Sequence, residues 1–255
     1  MRSNFLSDNI SFPFRDPHWV TKLAIGALMI LASLIIPLVP LFFVAGYCLR
    51  ICQRIIHDDG PPHLPEWDDW SWFFRNGFRL SEAGLVYALP GLILLTASYL
   101  MVFYPLITNS MYTIITNTPQ ELSTNAMELI QNGAILMGVA TVISLVGGFF
   151  SAPAAMHMVS TGSIKAVFHI REWWEILIRA PGKFLGALTL ISFVSIILLT
   201  IFTVLTATLI FCLPAAIIFS IGGIYLSVTA SALFATAYRA GALINQESRS
   251  GGKNA

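Results

Sequence analysis

Charge is what this chain has least of. Asp, Glu, Lys and Arg supply 11% of its 255 residues, against 56% hydrophobic, whereas a soluble domain carries about 25% charged residues. They are absent altogether from residues 23–49, 83–120, 129–164 and 184–238. Each gap is longer than the roughly 20 apolar residues a helix needs to cross a bilayer, which excludes a water-soluble fold. Alternating apolar and polar positions are missing too, so a membrane barrel is excluded. The net charge of +1 offers no basic face for nucleic acid. Cysteines are only three, and Cys48, Cys52 and Cys212 sit in apolar surroundings, where they read as free thiols rather than a disulfide framework. There is no P-loop, no Gly-x-Ser-x-Gly elbow, no His-Glu-x-x-His and no carboxylate pair in an apolar segment. The expectation is a protein that is not an enzyme and holds no cofactor or metal.

What is present is continuous Leu, Ile, Val, Phe and Ala. These runs predict an all-α fold, a polytopic membrane helical bundle with hydrophobic segments at about 23–49, 83–107, 134–159, 184–210 and 214–238. The charge-free stretch 184–238 is about twice one spanning helix, and Cys212-Leu213-Pro214 near its middle marks a tight turn between two helices. Together the segments form one membrane domain over residues 1–245, followed by a flexible polar tail at 246–255.

Basic residues orient the segments. All 14 Lys and Arg lie in the N-terminus, the 50–82 loop, the 160–183 loop and the C-terminal tail. The second loop and the Cys212 turn have none, which places both basic loops and the C-terminus in the cytoplasm. If 23–49 is one span, Arg2, Arg15 and Lys22 lie outside and five passes result. If Pro37 and Pro40 break it into a hairpin, roughly Val20–Ile36 and Leu41–His57, every basic residue lies inside. The charge count favours the hairpin, although spanning helices tolerate proline kinks.

All six tryptophans fall in polar flanks, the depth at which indoles anchor to a membrane interface. Trp67, Trp70, Phe74 and Phe78 recur every three or four residues and predict an interfacial amphipathic helix over 66–79. A second, over 171–180, carries Trp173 and Trp174. The two loops look like duplicates, with Glu66-Trp67 and Arg75-Asn76-Gly77-Phe78-Arg79 in one and Glu172-Trp173-Trp174 and Arg179-Ala180-Pro181-Gly182-Lys183-Phe184 in the other. His57, Asp58, Asp59, His63, Glu66, Asp68 and Asp69 offer nitrogen and oxygen ligands, but helix capping and a solvated turn account for them.

At membrane depth the one ionisable candidate is His157, in Met156-His157-Met158. It could ligate copper, haem or a pigment, but one His without a second ligand reads more simply as a histidine near the cytoplasmic end of its segment, hydrogen-bonded to a neighbour. Gly223, Ser227, Ser231 and Ala235 recur every four residues and predict a helix-packing face.

Gly46-Tyr47-x-x-Arg50, then Leu64-Pro65-Glu66-Trp67-Asp68-Asp69-Trp70 and Gly77, resemble the family of domain of unknown function 4013. Pro17-x-Trp19-x-x-Lys22-Leu23-x-Ile25-Gly26 and Pro181-Gly182-Lys183 are similar to its pattern as well. The resemblance implies a multi-pass protein of a prokaryotic cytoplasmic membrane and supplies no catalytic residue. The expected function is an accessory or scaffold subunit holding protein partners or lipids. Its alternative is a permeation or lipid-handling protein with a mostly uncharged pathway.

Overall fold

A computed structural model describes residues 5–58, 62–118, 120–207 and 211–251, with side chains given up to residue 247. Among them every regular element is helical: α1 Phe5–Ser11, α2 Trp19–Ala32, α3 Val39–His57, α4 Trp70–Thr116, α5 Thr124–Thr161, α6 Ile170–Arg179, α7 Pro181–Thr206 and α8 Cys212–Gly251, with 3₁₀ turns at Phe12–Arg15 and Ile164–Phe168. Five of these, α3, α4, α5, α7 and α8, are long and apolar enough to cross a membrane.

Segment 23–49 is broken, as the basic residues favoured. The chain leaves α2 at Ala32, and the Val39 N–H closes a three-residue turn onto the Pro37 carbonyl at 2.9 Å, with Leu38 in the left-handed region at φ 70°. Pro40 then sits in the first turn of α3, where its missing N–H costs nothing. With 14 residues α2 is about 21 Å long, short of the roughly 30 Å hydrocarbon core.

Three expectations are corrected. Residues 70–79 form no separate interfacial helix; they are the first turns of α4, because no glycine-proline stop intervenes before the apolar run. The corresponding loop does break, since Pro181 ends α6 and restarts the chain as α7. Helix α8 continues past 246, where the polar tail is expected to begin, to Gly251. Cys212, expected in a turn, opens α8.

Where the sequence suggests one domain, the chain divides into two compact units. The first comprises residues 1–83 and 152–255. Here α8 is the hub, packed against α1, α2, α3, α6 and α7. Its Gly223, Ser227, Ser231 and Ala235 face turns towards α2 and α3: Ile30 comes within 3.4 Å of a Cβ built at Gly223, the Cys52 thiol points at the Ser231 carbonyl at 3.6 Å, and Ala235 is fully buried. The second unit, residues 84–151, is a helix pair from α4 and α5. Its helices touch at small residues, Gly91 against Ser144 and Gly147 against the Tyr87 carbonyl.

Candidate functional site

Two polar clusters stand out in the first unit, and both form where helices end. One is built on the Leu64-Pro65-Glu66-Trp67-Asp68-Asp69-Trp70 string. Pro65 has no N–H, and its carbonyl accepts the Tyr47 hydroxyl at 3.0 Å. Lys22, almost fully buried, donates to Asp16 at 2.7 Å, Glu66 at 2.6 Å and the Leu64 carbonyl at 3.2 Å. Trp67 stacks on Tyr47 with ring centres 4.2 Å apart and donates its indole N–H to the Lys22 carbonyl. Asp69 accepts the Trp72 N–H and so caps α4. Arg50 pairs with Asp68 at 2.7 Å and lies over the Trp72 ring. Burial alone would raise the Asp16 carboxyl, but the Lys22 ammonium and the His18 N–H outweigh it and hold its pKa below the usual value. The string is thus a clasp joining α2, α3 and α4, and its acids serve as caps and ion-pair partners.

The tryptophans divide accordingly. Trp67 is half-buried in the clasp, and Trp173 is sealed in the core with its N–H on the Val167 carbonyl. Both are held by contacts within the fold. Trp70, Phe74, Phe78 and Trp174 remain on the surface, the first three edging against Phe42 and Phe43 of α3.

The second cluster centres on His157, near the end of α5. Its Nδ1 meets the Tyr238 hydroxyl of α8 at 2.7 Å, and its Nε2 meets Glu172 of α6 at 3.1 Å. Ser160 lies 2.9 Å from the Tyr238 hydroxyl and donates to the His157 carbonyl. His169, which precedes α6, brings its Nδ1 to 3.6 Å from Glu172. Sequence reasoning found His157 and missed its partners; the His169-x-x-Glu172 spacing, one helical turn, is the signal that could have found two of them. Of the other candidates, His57 lines a cavity of about 490 Å³ with Ser160, Tyr238 and Arg239. Arg239 also bonds the carbonyls of Ile55 and Asp58, closing the end of α3. Asp59 lies outside the described residues.

The fold is that of a multi-pass helical membrane protein. A sequence profile for a protein of unknown function (DUF4013) matches residues 29–207, and the chain belongs to that family. No curated protein and no solved structure matches it.

Proposed function

We propose that the protein is a non-enzymatic accessory or scaffold component of a prokaryotic cytoplasmic membrane, holding protein partners through its membrane-exposed helices. The observation that carries this reading is the helix pair 84–151. Gly91, Ser144 and Gly147 face inward, and Ile93, Leu100, Tyr104, Ile135, Val142 and Leu145 stand exposed, each more than half uncovered. Such faces suit lipid or further helices. The basic loops 50–82 and 160–183 and the C-terminus face the cytoplasm on this reading, the side on which Lys and Arg collect. The test is purification in native nanodiscs with mass spectrometry of everything bound. A partner in fixed ratio is the expected result; a chain that emerges alone under several mild conditions overturns it.

A second reading, lipid handling, is favoured by an apolar groove of about 390 Å³ among α2, α3, α7 and α8, lined by Ile30, Leu41, Val44, Leu198, Phe219 and Leu226. Its size suits a stretch of acyl chain. Lipid transfer between proteoliposomes and acceptor vesicles that falls when Val44 is enlarged to Phe supports it, and transfer equal to that of protein-free vesicles removes it.

A further inference from the structure

Three ligand atoms converge beside α6, one on each of His157, His169 and Glu172, all within 4.8 Å of one another. Two imidazoles and a carboxylate are the donor set of zinc-type cations. A tetrahedral ion at about 2.0–2.2 Å from each ligand needs those atoms about 3.3–3.5 Å apart. His157 Nε2 lies 3.1 Å from Glu172 Oε2 and His169 Nδ1 lies 3.6 Å from Oε1 of the same carboxylate, both near that separation, and the three ligand atoms, within 4.8 Å of one another, have to draw in around the ion.

The surrounding hydrogen bonds prepare His157 for this role. Ser160 spends its proton on the His157 carbonyl, so its oxygen accepts from Tyr238. The Tyr238 oxygen is then left to accept the His157 Nδ1–H. That order puts the lone pair of His157 on Nε2, pointed at a carboxylate oxygen that is also an acceptor. Two acceptors at that distance call for a cation between them. A proton would satisfy the pair but would make no use of His169, which is brought to the same carboxylate from outside the helix. Holding the far ring nitrogen with a fixed partner is also how metal-binding histidines are oriented.

We propose that His157, His169 and Glu172 bind one divalent cation of the zinc class, with Tyr238 and Ser160 as positioning residues. His157 is buried and fixed on α5, while His169 and Glu172 are more than half exposed, leaving a route of entry and a fourth position for water. The ion would fasten the first turn of α6 to the end of α5. This site does not depend on the scaffold reading.

The test uses the full chain in nanodiscs, stripped with a chelator, then titrated with Zn²⁺ by calorimetry and with Co²⁺ by visible absorption. One Zn²⁺ per chain is expected, with a Co²⁺ spectrum of a low-coordinate nitrogen and oxygen site. His169→Ala and Glu172→Gln, both at exposed positions that should leave the fold intact, should each weaken binding at least about tenfold, and Tyr238→Phe by about 10–100-fold. His57→Ala should bind as the parent does. No stoichiometric binding by the parent chain overturns the proposal. So does binding that His169→Ala and Glu172→Gln leave unchanged, or that His57→Ala reduces equally, since the ion would then be on surface histidines.

Discussion

The two units solve the same problem, how to keep polar groups satisfied, by different means. In residues 1–83 with 152–255, side chains reach across elements: Lys22 to the clasp loop, Tyr47 to Pro65, Arg239 to the end of α3, His157 to α6 and α8. In residues 84–151, the hydroxyls of Thr96, Thr108, Ser110, Thr141 and Ser144 each bond a carbonyl one turn back in their own helix. The first unit therefore adds side-chain pairs between elements to its close helix packing. The second relies on shape, on the close approach of small residues, and leaves its outer surface to whatever surrounds it.

The largest expected effect comes from glycine positions, which differ sharply in the room they leave for a side chain. A Cβ at Gly46 would overlap the Phe73 carbonyl, and one at Gly77 would overlap the Phe42 carbonyl, so α3 and α4 cross with backbone against backbone. Overpacking a core costs about 1–3 kcal/mol when side chains can give way. Here the obstacle is backbone, so Gly46→Val or Gly77→Val should abolish the monodisperse folded species on size exclusion. Gly138 and Gly148 of the other unit have nothing within 4 Å of a built Cβ. Gly138→Ala should hold or gain about 0.5–1 kcal/mol from helix propensity. Equal melting temperatures for Gly46→Val and Gly138→Ala would dissolve the contrast.

Next in size is the clasp. Lys22→Met leaves the buried Asp16 carboxylate without its cation and should cost about 3 kcal/mol. The same pair sets an acid limit. Because the Asp16 pKa is lower folded than unfolded, its contribution is complete above the unfolded value near 3.8 and is lost as pH falls through the folded value. Thermal melts should therefore show the parent losing stability below about pH 4 more steeply than Asp16→Asn. Parallel curves for the two would show that the ion pair does nothing for the fold.

Much of this was legible in the chain. The charge-free runs located the long helices, and the proline pair with the basic residues located the break after α2. The clasp was visible as a motif but not as a clasp, because the partners of Glu66, Trp67 and Asp68 are Lys22, Tyr47 and Arg50, distant in sequence and joined only by the packing of α2 and α3. Periodicity correctly grouped Trp70, Phe74 and Phe78 on one face, yet it could not show that their helix runs on unbroken into the apolar segment. Helix α1 was missed because seven residues carry too little periodicity; tertiary bonds hold it, Thr236 to Asn9 and Tyr225 to the Ile10 carbonyl. His157 drew notice as a lone histidine, and only the fold supplied Tyr238, 81 positions away.

The smallest effect on stability, and the most telling about function, belongs to the outer face of the helix pair. Ile93 and Ile135 are 64% and 62% exposed. Truncating either to Ala removes little that the chain itself covers, so the purified protein should change by no more than about 0.5 kcal/mol. If the face meets only lipid, nothing else should change, because acyl chains fill the space left by a shortened side chain. If it meets a partner helix, the same truncation opens a gap in a packed interface, and retention of the partner in native nanodiscs should fall while the melting temperature stays put. A loss of stability without loss of partner would be the opposite pattern. It would mean that these side chains are buried within the chain's own fold, and that the unit is not the outward-facing element its exposed surface describes.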